Sequence, residues 1–339
     1  MAMVSIKEVA AHAGVSPGTV SNVLNRPGKV APATRERVEA AISELGFVRH
    51  GSASTLRAGY SRTIGLSVID IGNPFFTEVA AGVEDVASEL GYAVILGNSA
   101  GSQDKEDRNL RVLAEHRVRG VLITPSGEDP GRLDRLRENG ISVVLVDHPA
   151  HRPDQCAVAV DDVAGGRAAV AHLLSKGARS VAYVTGPLTI RQCMERREGA
   201  KQAMRSAGLD PDELRVVEST TMTARAGEKA AAELMSGGAL PEAVFCANDL
   251  LALGVLRALL RSGVRVPEEV ALMGYDDIDF AAASTVSLSS MRQPTYQLGR
   301  IATELLLDEC DNPETHAHQH IMFQPELVAR ESTQSTATG

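Results

Sequence analysis

Residues 6–25 read Ile-Lys-Glu-Val-Ala-Ala-His-Ala-Gly-Val-Ser-Pro-Gly-Thr-Val-Ser-Asn-Val-Leu-Asn. Ile6, Val9, Ala10 and Ala13 recur at helical spacing, and Gly14 follows where a left-handed residue stops a helix. Ser16 is a favourable N-cap and Pro17 a favourable first helical residue, so a second helix is predicted two residues later. Its inner face is Val20, Val23 and Leu24, and it ends near Asn25-Arg26-Pro27-Gly28. Two short helices joined by a Gly-containing turn make a helix-turn-helix, which lays its second helix in the major groove of DNA. A third helix from about Pro32 to Leu45, with Val38, Ala41, Ile42 and Leu45 as its apolar stripe, closes the small core.

Charge supports a polyanionic partner for this head. Residues 1–62 hold eight bases and four acids, although the whole 339-residue chain carries −9, so the remainder is strongly acidic. Two parts of opposite sign suggest two tasks. Hydrophobic residues at 44% and charged residues at 23% are ordinary for a globular protein, and two or three domains fit the length. Aromatics are only 3%, so Ala, Val, Leu and Ile must build the core. No apolar run of about 18 residues offers a membrane span. The N-terminal residues lack the profile of a secretory signal, and a cytoplasmic protein is expected. Cys156, Cys193, Cys246 and Cys310 are too widely spaced for a zinc ribbon or a disulfide frame, and are expected to be free thiols without a chemical role.

The run from Ile6 to Asn25, continued by Thr34-Arg35, Val38 and Leu45-Gly46-Phe47, resembles the head of the lactose-repressor (LacI) family. The resemblance implies that Ser16, Thr19 and Ser21 meet the sugar–phosphate edge, with Asn25 beside them, and that Asn22 reaches a base edge. Family members also read bases with the two residues after Ser16. Here these are Pro17 and Gly18, which offer no side-chain donor or acceptor, so shape readout gains weight. Residues 49–60 are rich in Gly, Ser and Thr and read by themselves as a flexible linker. The resemblance implies a hinge helix that forms on DNA, with Ala53 and Leu56 at the minor groove and Leu56 as a wedge between base steps. His50 stands where the family usually has Asn, and Gly51 weakens the helix.

From Thr63 onward short apolar runs alternate with helical segments: 64–69, 94–96, 120–124 and 142–147, then 181–184, 243–247 and 270–274. Gly follows the helices at Gly91, Gly140, Gly177, Gly208 and Gly263, the stop signal of a βα repeat. The fold class is therefore α/β: a small all-α head, then two subdomains with parallel sheets and a ligand cleft at the strand ends. The expected boundaries are 1–48 for the head, 49–60 for the hinge, 61–330 for effector binding and dimerisation, and a disordered tail over 331–339. The first half is expected to end with the strand at Asp147, and Arg196 and Gly199 to open a helix near the start of the second.

No dinucleotide fingerprint, Walker A sequence or nucleophile elbow is present, which removes the usual support for an α/β enzyme. A sugar-transport component would share the large domain but has no use for residues 1–60. The polar residues at predicted strand ends resemble the effector site of the LacI family and of periplasmic pentose-binding proteins. That resemblance implies aromatic faces from Phe75 and Phe76, and hydroxyl contacts from Asp147, Arg196, Asn248 and Asp276, with Asn73 and Gln293 adding contacts. His148 stands where ribose-type relatives carry Arg. The implied partners are double-stranded operator DNA, a small effector (a pentose or another sugar) and a second copy of the chain, with no membrane, cofactor or catalysis. His316, His318 and His320 lie two apart and could hold a metal from one strand face. An exposed loop is the expectation, and no metal site is predicted. The tail has no leucine heptad for a tetramerising coil.

Overall fold

The computed structural model describes residues 4–47, 60–127, 129 and 131–334. The chain divides into two compact units, Met1–Ser61 and Arg62–Gly339. The hinge residues Ala53 and Leu56, with His50 and Gly51, lie outside the described residues.

The head holds α1 (Ile6–Ala13), α2 (Pro17–Asn25) and α3 (Pro32–Leu45), with the ends predicted from their caps. Ser5 and Glu8 form a reciprocal capping box at the start of α1, and Gly14 ends it at φ 64°. Ser16 caps α2 by accepting from the Thr19 amide at 3.1 Å. Val9, Ala10, Ala13, Val20, Val23, Val38 and Ala41 are buried together, so each helix contributes its predicted stripe. His12 on α1 meets Glu44 on α3 at 2.7 Å.

The larger unit alternates strand and helix. Its first half contains β1 (Thr63–Val68), α4 (Pro74–Glu89), β2 (Ala93–Asn98), α5 (Gln103–Glu115), β3 (Gly120–Ile123), α6 (Gly131–Glu138), β4 (Ser142–Val146) and β5 (Ala157–Val160). The second half follows with α7 (Asp162–Ser175), β6 (Val181–Thr185), α8 (Arg191–Ser206), β7 (Arg215–Glu218), α9 (Ala224–Ser236), β8 (Ala243–Cys246), α10 (Asp249–Arg261), β9 (Ala271–Met273), α11 (Asp279–Ala283) and β10 (Ser290–Arg292). The chain then returns through α12 (Thr295–Asp311) and β11 (His320–Phe323), and ends with β12 (Glu326–Val328).

Two parallel sheets result, in the orders β11-β5-β4-β3-β1-β2 and β7-β6-β8-β9, with β10 and β12 as an antiparallel pair. Both faces of the first sheet are covered. Leu122, Val144, Val146 and Val158 enter one core with α4 and α12. Val121, Ile123, Val143 and Leu145 enter another beneath α5 and α6. This period-two division explains the continuous apolar strands.

Three expectations need correction. The first half does not end at Asp147, because β5 and the late strand β11 complete its sheet. Strand pairing over 160 residues leaves no local sequence signal, and β5 is only four residues long. Arg196 does not open its helix; α8 starts at Arg191, which puts Arg196 in the second turn. The tail is ordered further than expected, since Ser332 and Thr333 are buried. Ser332 Oγ accepts from the Ser289 amide at 2.8 Å and donates to the Leu272 carbonyl at 2.7 Å. Polar composition suggested disorder, yet these side chains serve as partners for backbone groups that would otherwise be buried unpaired.

Candidate functional site: the recognition face of the head and the cleft between the sheets

On α2, Val20 and Val23 face the core while Gly18, Asn22 and Asn25 lie exposed on the other side. Ser16 and Pro17 are exposed at the helix start, and Thr19 and Ser21 are half-buried. Asn25 donates to the Ser21 carbonyl at 2.7 Å and so lies folded along the helix. A Cβ added to Gly18 would meet nothing closer than Ser16 Oγ at 3.6 Å, leaving a flat patch at the N-terminal end of this face.

In the larger unit, polar residues follow the carboxyl ends of strands from both sheets and converge on one cleft. Asn73, Phe75, Phe76, Asp147, Arg196, Asn248, Asp276 and Gln293 all line it. His148 does not. It lines a neighbouring recess with Ser126 and Thr189, and its Nδ1 is 2.8 Å from the Pro149 carbonyl oxygen. Asp147 already ends the strand with φ 55°, and the chain turns away directly after it.

Arg196 is the centre of charge. Its Nε donates to Asp162 at 2.7 Å, one Nη donates to the Ala247 carbonyl at 2.6 Å, and the same nitrogen lies 3.9 Å from Asp276. The guanidinium rests 3.6 Å above the centroid of the Tyr275 ring. Tyr275 leans on Phe245, which stacks on Tyr183 at 5.1 Å, so the second-half core provides the platform. Gly166 and Gly199 allow α7 and α8 to pack backbone to backbone; a Cβ at Gly199 would collide with the Val163 carbonyl oxygen. This contact sets the position of α8 and hence of Arg196. Burial opposes the Arg196 charge, but Asp162, Tyr275, Asp276 and Asp147 more than offset it and hold the group firmly protonated.

The carboxyls respond in the opposite sense. Burial raises Asp147 well above the ordinary range, helped by repulsion from Asp162. Asp276 is pushed up to about 6, mainly by burial, with Arg196 and hydrogen bonds from Asn73 and Gln293 pulling back. Three carboxyls share one buried cation, so full ionisation of all three is costly.

Two hydrogen-bonded bridges cross the cleft. Gln192 on α8 donates to both the carbonyl and Oδ2 of Asp147 at 2.8 Å. Asn73 Nδ2 donates to Asp276 at 3.3 Å, and Gln293 donates to the other oxygen of Asp276 at 2.8 Å. Asn73 and Asn248 also cap α4 and α10 through their Oδ1 atoms, and Asn248 Nδ2 donates to the Met222 carbonyl. Asp147 Oδ1 and Gln293 Oε1 are buried without a hydrogen-bond partner among the described residues.

Sequence reasoning missed Gln192, Asp162 and Tyr275. Gln192 precedes Arg196 by one helical turn and shares its face, so helical spacing from Arg196 could have found it. Nothing local marks Asp162 or Tyr275, whose importance depends on contact with Arg196.

Residues 5–50 match the family model described as bacterial regulatory proteins, lacI family, and residues 170–333 match a periplasmic binding protein-like domain. The chain is 34% identical to the HTH-type transcriptional repressor PurR of Photobacterium profundum over 331 residues, covering 97% of this chain and 98% of that protein. It is 35% identical to the ribose operon repressor of Escherichia coli (strain K12) over 332 residues, covering 97% of this chain and 100% of the relative. The chain belongs to the lacI family of bacterial regulatory proteins. A solved lac repressor dimer, bound to operator and the anti-inducer ONPF, superposes with a TM-score of 0.84 at 26% identity, covering 98% of this LacI-family chain and 100% of the other. The regulator therefore pairs a DNA-binding helix-turn-helix with a periplasmic-binding-protein-like effector domain, as the α2 face and the cleft indicated. Among the described residues no helix is long and apolar enough to cross a membrane.

Outside the cleft, the histidine run is exposed as expected at His318 and His320 but not at His316. The His316 side chain is buried against Cys156, and Asp308 and Glu309 on α12 stand beside the run. Parallel pairing of β11 with β5 brings Cys156 to residues 160 positions away, which spacing alone could not reveal.

Proposed function

We propose that the protein is a cytoplasmic homodimeric repressor that binds a near-palindromic operator and whose DNA affinity is set by a sugar held in the cleft. The observation that carries this reading is the pair of unpartnered buried acceptors, Asp147 Oδ1 and Gln293 Oε1, in a cleft lined by two Phe rings and a fixed guanidinium. Buried acceptors without donors cost about 1–3 kcal/mol each, and a polyhydroxylated ligand supplies donors to them. Phe75 and Phe76, edge to face at 4.9 Å, offer an apolar surface to the C–H face of a sugar ring.

Gln192–Asp147 and Asn73–Asp276 already join the two halves, so a bound sugar exchanges these bridges for its own hydroxyl contacts. Its differential affinity for the open and closed halves then shifts the dimer. Residues 49–60, with Ala53 and Leu56, pass that shift to the operator, where Ser16, Thr19, Ser21, Asn22 and Asn25 make the major-groove contacts. The cleft binds its ligand without converting it. Cys193, the thiol beside the ligand space, is held protonated by burial, and its Sγ faces Met222 Sδ at 3.5 Å rather than a base.

A thermal-shift screen over pentoses, hexoses, disaccharides and purines, read together with gel shifts of the protein's own promoter region, tests the reading. A pentose that raises Tm, alters operator affinity and is recovered unchanged in mass supports it. Chemical conversion of the ligand, or a promoter region that never shifts with or without sugars, overturns it.

A further inference from the structure

Outside the DNA-reading face and the cleft, the described residues bring four potential metal ligands together in the first half. Cys156 lies just before β5, Glu309 near the end of α12, and His316 and His318 on the connection from α12 to β11. One ligand atom from each lies within 4.8 Å of all the others. Cys156 Sγ is 3.1 Å from His316 Nε2 and 3.7 Å from His318 Nδ1, and His318 Nδ1 is 3.8 Å from Glu309 Oε2. Around a tetrahedral Zn(II) ion, with bonds of about 2.0–2.3 Å, ligand atoms stand about 3.3–3.6 Å apart. Small side-chain movements close the difference.

Two further observations distinguish this cluster from a chance meeting of polar residues. His316 Nδ1 lies 2.6 Å from Asp308 Oδ2, and a carboxylate there accepts, so the proton sits on Nδ1 and the Nε2 lone pair faces Cys156. This carboxylate–histidine arrangement is the usual outer shell of a metal-bound imidazole. Glu309 Oε2 is buried in the cluster and accepts no hydrogen bond.

We infer that Cys156, Glu309, His316 and His318 form a site for one Zn(II)-class ion, oriented by Asp308, that staples the α12–β11 return connection to the edge of the first sheet. The donor set of one thiolate, two imidazoles and one carboxylate suits a borderline-soft ion with tetrahedral preference, and not Mg(II) or Ca(II). Binding replaces the Cys156 S–H bond with a sulfur–metal bond, and the proton passes to solvent. β11 is a four-residue edge strand paired only to β5, so a metal across its entry point fixes the closing strand of the sheet.

The test uses untagged full-length protein stripped with chelator and titrated with Zn(II) or Co(II). The expected result is one ion per chain, release of about one proton, a Tm that rises with Zn(II), and a Co(II) spectrum with tetrahedral d–d bands and a thiolate charge-transfer band. Cys156→Ser removes the charge-transfer band. His318→Gln, at an exposed position that leaves the fold and operator binding unchanged, weakens Zn(II) at least tenfold, and Asp308→Asn weakens it by about 10–100-fold. Absence of stoichiometric binding at micromolar Zn(II) overturns the inference. So does an octahedral Co(II) spectrum, or an affinity that neither Cys156→Ser nor His318→Gln alters.

Discussion

The recognition face of α2 and the effector cleft use polar residues in opposite ways. On α2 the polar groups are displayed to solvent on a helix whose other side is Val20 and Val23. Hydrogen bonds among them are few and local, such as Ser16 with Thr19 and Asn25 with Ser21. In the cleft Asp147, Arg196, Asn248, Asp276 and Gln293 are all buried, and each is held by groups distant in sequence. Apart from Ser16, which also caps α2, the head keeps its binding groups independent of its stability, whereas the cleft makes them part of the core. Substitution of the exposed Asn22 should therefore change affinity alone, and substitution of Arg196 should change affinity and folding together.

The largest effect is expected at Arg196. Arg196→Met keeps much of the side-chain volume but leaves Asp162 buried without its cation, and should cost about 3–5 kcal/mol of stability as well as effector binding. Urea unfolding measures it; a variant with unchanged midpoint that merely lost effector affinity would break the contrast. Asp276→Ala should abolish the effector response while operator binding by the folded protein persists, as read by gel shift with and without ligand. Loss of both would mean that Asp276 serves folding first.

Asp276 also gives the comparison a pH axis. Its folded-state value of about 6 lies above the ordinary 3.8. An acid raised by folding binds more protons in the native state between those values, so its contribution to stability is full below 3.8 and is lost as pH rises through 6. Effector affinity should run the other way, falling as pH drops through 6 because the protonated carboxyl accepts fewer hydroxyl donors. Calorimetric titration from about pH 5 to about pH 8 checks this, and Asp276→Asn should flatten the step.

Smaller effects are expected on α2. Asn22→Ala should weaken operator binding by about 1–3 kcal/mol with no change in the melting of the head. A matching fall in Tm would blur the distinction between the two regions. Gly18→Ala should stabilise the head by up to about 1 kcal/mol, since the added Cβ makes only an ordinary contact with Ser16 Oγ and glycine is a poor helix former. A salt-dependent change in operator affinity on that substitution would show that the flat patch itself touches the duplex.

The same contrast explains what could be read in advance. The end of α1 and the start of α2 followed from Gly14, Ser16 and Pro17, because caps and left-handed stops depend on residues within a turn of each other. The βα order and the strand-end placement of Asn73, Asp147, Asn248 and Asp276 followed from apolar runs and their endings, with the family resemblance selecting among the polar candidates and adding Gln293. His148 was misplaced because one residue beyond a strand end decides which side of the turn a side chain takes. β5, β11 and the buried Ser332 were missed because their stability comes from partners far along the chain.

The sequence by itself determined the helix-turn-helix and the alternating α/β order, since both depend on periodicity and caps of local range, and the residues of the head carried the family resemblance. Only the tertiary structure decided that the aromatic stack supports Arg196, that Gln192 and Asn73 bridge the halves, and that Cys156 meets His316. Those contacts exist because parallel strands and close-packed helices join residues tens to hundreds of positions apart, and no local pattern encodes such a meeting.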